Sequence, residues 1–180
     1  RMPPGMASVQ ASFGWGGGLL AVRRVIWVAA IALLVVFGAV LAMAEASVTR
    51  ITKVRLVNLR EEGRRNVDLL EEIEENLPRY LNSVYLSVMC VQNGSAILVA
   101  IVTQSIWGEL GVTVASVLFT IGYFVTVEAM AKTFAVLHSD SVALALAPIL
   151  WVLGRLLYWP TRGLIGLANI LLPGKGLEQG

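Results

Sequence analysis

Residues 111–134 read GVTVASVLFTIGYFVTVEAMAKTF. The first fourteen carry no charge, and the whole run is long enough to cross about 30 Å of hydrocarbon at roughly 1.5 Å per residue. Near its end stand Glu128 and Lys132. A charge inside a membrane helix is costly and marks a functional site by default. This stretch therefore decides the fold, as a membrane helix, and points to where function sits.

Composition agrees. Of 180 residues, 57% are hydrophobic and only 14% charged, and the mean hydropathy is +0.74. Soluble domains carry about a quarter charged residues. The expected class is an all-α membrane protein whose surroundings are the lipid bilayer. The net charge of +2 is small, and nucleic acid is not expected as a partner. There is no nucleophile–base pair and no phosphate-binding glycine loop, so the chain does not read as an enzyme. The single cysteine, Cys90, cannot form an internal disulfide and reads as a small packing residue.

Working outward, two further spans emerge. Val25–Ala46, VIWVAAIALLVVFGAVLAMAEA, is a run of 22 residues, uncharged but for Glu45, behind Arg23 and Arg24, too long for a signal-peptide core. Residues 1–24, rich in Gly and Pro, read as a flexible N-terminal tail. Tyr80–Thr103 forms the second span, with Pro78 just before it, where a missing amide costs little. A short connector, QSIWGEL, leads to the opening stretch. Spans of about 25–46, 80–103 and 111–134 result, within a domain covering 25–180.

Between the first two spans the chain changes character. Residues 47–79 hold seven basic and seven acidic residues. Leu69, Leu70, Ile73 and Leu77 share one helical face with acids opposite, so an amphipathic helical hairpin with a turn near Gly63 is expected. The seven basic residues there, against none in QSIWGEL, place the hairpin in the cytosol and the N-terminus outside. The C-terminal region then lies inside. Residues 141–172 contain Pro148, Arg155, Pro160 and Arg162 among Trp151, Tyr158 and Trp159. They read as juxtamembrane helices at headgroup level, with a Pro-kinked fourth span as the alternative.

With that orientation Glu128 lies roughly 9 Å inside the inner membrane boundary. Ser83 and Ser87, in the first turns of the second span, are at a similar depth, with Glu45 at the inner end of the first. Ser83, Ser87, Cys90 and Gly94 recur at helical spacing, flanked by Asn82 and Asn93. Oxygen donors with few carboxylates suit hard cations such as Mg²⁺ or Ca²⁺. Two plainer readings stand beside this. Small residues at i, i+4 also serve helix packing. Glu128 and Lys132, an i, i+4 pair, can neutralise each other.

Several local motifs, in order, resemble the transmembrane domain of the CNNM/CorC family of magnesium transporters. They are AMAEASVTRITKVRL at the end of the first span, PRYLNSVYLS leading into the second, VEAMAKT closing the third, and the terminal ANILLPGKGLEQG. The resemblance implies a homodimer with three membrane helices and a belt of juxtamembrane helices. It implies Mg²⁺ as the transported ion, export, and coupling to Na⁺, with cytosolic CBS domains downstream in a full-length chain. The family's charged ligand maps onto Glu128, its second-helix donors onto Ser83 and Ser87, and a later Asn onto Gln92 or Asn93. Ala42, Val88, Val127 and Ala131 depart from the family pattern. Two functions are thus expected: a divalent-cation transporter anchored by Glu128, or a non-transporting membrane scaffold or regulatory subunit with a degenerate ion site.

Overall fold

The computed structural model describes residues 6–171, with side chains from 22 to 167. Within them every regular element is helical: α1 (Met6–Val48), α2 (Lys53–Glu61), α3 (Val67–Glu75), α4 (Leu77–Tyr123), a π-helical segment (Phe124–Ala131), α5 (Lys132–Leu137), α6 (Ser139–Leu156) and α7 (Tyr158–Leu171). Three helical stretches are long and apolar enough to cross a membrane: Val22–Val48, Leu77–Leu137 and Ser139–Leu156. The chain is an all-α membrane protein.

Leu77–Leu137 runs 61 residues, roughly 90 Å if straight and about three times the hydrocarbon thickness. It is not straight. Gly108 sits at φ 68°, ψ −161°, a region open essentially to glycine alone. The reversal there is shown by Gly38 on α1. A Cβ at Gly38 would lie 3.3 Å from Val91 and 2.7 Å from the Tyr123 hydroxyl. Val91 and Tyr123 are 32 positions apart and would be about 48 Å apart along one rod. Both arms of the long helix therefore pack on α1 at Gly38, and three apolar helical stretches meet there.

The connector expected over QSIWGEL reduces to that one glycine, because its neighbours keep helical bonds on both sides. The expected tail also changes. The backbone is helical from Met6, since extending an existing helix adds one hydrogen bond for each residue fixed. Residues 1–5, and the terminal motif from Leu172 onward, lie outside the described residues.

The charged segment forms the expected hairpin. Thr52 caps α2 by accepting from the Arg55 amide, and the turn uses positive φ at Gly63 and Asn66. Leu56, Leu59, Val67, Leu70 and Ile73 are buried in one cluster with Val48, Leu144, Ala147 and Leu150, so the hairpin's apolar face closes on α1 and α6. Polar ties run along α6. Arg55 pairs with Asp140, the Asn66 side chain donates to the Leu144 carbonyl at 3.0 Å, and Trp151 Nε1 donates to Glu72 at 2.9 Å. Tyr80 adds a second donor to Glu72 at 3.0 Å. The Trp151 and Tyr80 hydrogen bonds hold the Glu72 carboxyl below the usual glutamate range, with Arg155 and Arg79 adding to the effect. The break expected near AVLHSD falls at His138, φ −119°, ψ 37°.

Candidate cation site

The opening stretch does not run into its charges as an α-helix. Phe124–Ala131 is π-helical, a form rare in proteins and frequent at functional sites. Within it Thr126 Oγ1 donates to the carbonyl of Gly122 at 2.7 Å, a bond that Ser87, Ser95 and Thr120 also make to their i−4 carbonyls inside regular α-helix. The buried face of the segment is Val127 and Ala131. Tyr123 and Val127 form a small apolar cluster with Ala42 of α1, which seats the π segment on that helix.

Beside that face the charges converge. Lys132 Nζ lies 2.8 Å from Glu128 Oε2 and 3.4 Å from Glu45 Oε1 at the end of α1. Glu45 is the most enclosed, its side chain 14% exposed, while Glu128 and Lys132 are each about one-third exposed. Two carboxylates and one ammonium leave the group with a net charge of −1. One lysine thus ties together two acids from different helices, and both ion pairs are available only where the α1 terminus faces the π segment.

The other expected donors sit elsewhere. Ser83 is fully buried, donates to the Arg79 carbonyl at 3.2 Å and lies 3.4 Å from Thr161 Oγ1 on α7. Ser87 donates to the Ser83 carbonyl at 2.8 Å. Asn93 is exposed and bonds the Met89 carbonyl of its own helix at 2.8 Å, and Gln92 is exposed. Among the described residues, no hydrogen bond or ion pair joins Glu128 to Ser83, Ser87, Gln92 or Asn93. No group of three or more His, Cys, Asp or Glu side chains suited to a metal ion occurs among them. Cys90, read as a packing residue, is exposed. The buried small polar residues of this helix are Ser83, Ser87, Ser95 and Thr103, at spacings of four and eight that leave Cys90 and Gly94 off the stripe.

Two neighbours gain a role that the sequence did not give them. Glu45, placed only at the inner end of the first span, supplies the second carboxylate. Tyr123 is 3% exposed, and its hydroxyl is buried without a hydrogen-bond partner among the described residues. It points at Gly38, where only the missing side chain admits it. An orphaned hydroxyl one turn from Glu128 is a donor and acceptor held ready at the junction of the three passes.

The chain resembles known proteins over most of its length. The family model of the cyclin M transmembrane N-terminal domain, CNNM, matches residues 29–180. The chain is similar to a UPF0053 protein of Mycobacterium bovis and to one of Mycobacterium tuberculosis, each 27% identical over 148 residues. Those matches cover 82% of this chain and 34% of each relative, so the chain spans about a third of the length of the relatives it matches. The matched region takes in α1 from residue 29, the hairpin, the long helix, α6 and α7, and the chain belongs to the CNNM family.

Proposed function

We propose that this domain carries a divalent cation, Mg²⁺ in the first instance, across the membrane, with Glu128 as its charged ligand. The observation that carries the reading is the Glu45–Lys132–Glu128 group. Two acids on separate helices face one another in a membrane domain, and a tethered ammonium stands between them. Lys132 answers both carboxylates when no divalent cation is there. An arriving cation displaces it, so the lysine acts as a built-in competitor. Family membership supports Mg²⁺ as cargo. Export, Na⁺ coupling, a homodimeric assembly and CBS domains beyond this region are proposals of the same standing.

Placement in the bilayer is part of the reading. The hairpin's charged helices follow α6 from Asp140 to Trp151, contacts that a helix sunk in hydrocarbon could not keep. α6 and α7 therefore lie at the cytosolic headgroup level with the hairpin, and the spans are α1 and the two arms of Leu77–Leu137. Cysteines placed at Ser105 and Arg64 should label from opposite sides of the membrane, Ser105 from outside. Labelling from the same side would remove this topology.

A second reading is a non-transporting scaffold or regulatory subunit. It draws on the same lysine, which already neutralises Glu128, and on Ser83 and Ser87, whose hydroxyls bond their own helix. Calorimetric titration of the purified protein with Mg²⁺ separates the two. The transporter reading expects saturable binding that Glu128→Gln abolishes. Absence of heat for Mg²⁺, Ca²⁺ and Mn²⁺ alike would leave the scaffold.

A further inference from the structure

A second charged cluster lies where α4 begins, α6 ends and α7 begins. The Arg79 guanidinium stacks 4.4 Å from the centroid of the Tyr158 ring and 5.7 Å from that of Tyr80. Arg162 lies 5.7 Å from the same Tyr158 ring and hydrogen-bonds its hydroxyl. Two guanidinium carbons are therefore within about 10 Å of each other, by the sum of their distances to one ring. Arg155, three residues before Tyr158, covers Trp151 at 4.3 Å. None of the three arginines has an ion pair among the described residues. The acid that acts on Arg79 and Arg155 is Glu72, and its oxygens are taken by Trp151 and Tyr80.

Three positive charges against one leave an excess of +2. Arg79 Nε is buried with no acceptor. An unmet buried donor is costly, and on a guanidinium it calls for an anionic oxygen. The surroundings say what carries that oxygen. Trp159 is 78% exposed and Leu156 71%, next to Leu164 and Leu167, also exposed. Apolar side chains beside arginines and an exposed tryptophan are the composition of a helix at the lipid headgroup boundary. Stacking on aromatic rings fixes the guanidinium planes and leaves their outer edges free to fork onto phosphate oxygens.

We propose that Arg79, Arg155 and Arg162, gathered around Tyr158, bind the phosphate of an anionic membrane lipid. The lipid's chains lie along Leu156, Trp159 and the exposed leucines of α7. Such a lipid would clamp α7 to the start of the second pass, where Ser83 already meets Thr161. This site is separate from the carboxylate group and does not depend on transport.

Lipid exchange onto the purified chain, read by native mass spectrometry and by thermal melts, tests it. Phosphatidylglycerol should bind in preference to phosphatidylcholine and raise Tm, while inorganic phosphate at equal concentration should not. Each arginine near a membrane surface contributes enough to change the preference about fivefold, so Arg155→Gln and Arg162→Gln should each lower it by roughly that factor. Both side chains are exposed, so these variants keep the test open if Arg79→Gln does not fold. Equal binding of the two lipids, or an unchanged preference in the Arg155→Gln, Arg162→Gln double variant, would overturn the site. A Tm rise with inorganic phosphate alone would overturn the lipid as its ligand.

Discussion

The two charged regions of this domain solve opposite problems. Around Glu128 the protein supplies both signs. Lysine and carboxylates from three helical segments satisfy one another within 2.8 and 3.4 Å. Around Tyr158 it supplies one sign, stacks it on aromatic rings and leaves the countercharge outside. A group that must exchange its partner needs an internal substitute, because an unpaired charge at membrane depth is too costly to wait with. A group at the headgroup boundary needs none, since water and lipid phosphate are always at hand. On the functions proposed above, the difference is between a site that turns over and one that anchors.

The comparison can be broken first at the anchoring side. Gly154 lies under Tyr80, and a Cβ there would overlap the Tyr80 ring. Gly154→Ala must displace the ring that supports both Glu72 and Arg79. It should cost about 3 kcal/mol, the largest loss expected from a single methyl, measurable by chemical denaturation in detergent. A variant as stable as the parent would show that this corner is not rigid.

On the exchanging side, Lys132→Met strands two carboxylates. Without divalent cation the variant should lose about 2 kcal/mol, less than for a fully buried pair because all three groups are partly exposed. No loss on melting would mean that the ion pairs contribute nothing.

A smaller effect separates the regions by pH. The Glu72 carboxyl is depressed in the folded state by its Trp151 and Tyr80 donors. Its contribution is therefore present above the unfolded value, near 4.5, and is lost as pH falls through the lower folded value. Glu72→Gln should flatten the acid limb of stability below about pH 4.5 and change the melt less at higher pH. An acid limb identical to the parent's would remove Glu72 from the account.

Much of this was legible in the residues. Apolar runs located the long apolar helices, since bilayer thickness sets their length, and the two-faced pattern of 47–79 announced the hairpin. The Glu128–Lys132 pair was written in its i, i+4 spacing. Three things were not legible. The chain reverses at one glycine, and nothing in QSIWGEL distinguishes a one-residue turn from a loop of seven. The π segment is a change of backbone hydrogen bonding that no hydrophobic period reports. Glu45 meets Lys132 across 87 positions, a contact only the packing of α1 against the π segment creates. The serine stripe was misphased for a related reason. Spacings of three and four both keep to one face of a helix, and the face that packing buries carries Ser83, Ser87 and Ser95 rather than Cys90.

The central claim is that Lys132 holds the place of a cargo cation. The direct measurement is the Mg²⁺-induced rise in Tm for the parent, Lys132→Met and Glu128→Gln. A ligand stabilises only the state that binds it, and removing the lysine takes the site from −1 to −2. The account predicts a rise in the parent, a larger rise at lower Mg²⁺ in Lys132→Met, and none in Glu128→Gln. A Lys132→Met protein that ignores Mg²⁺, or a Glu128→Gln protein that still responds, would contradict it.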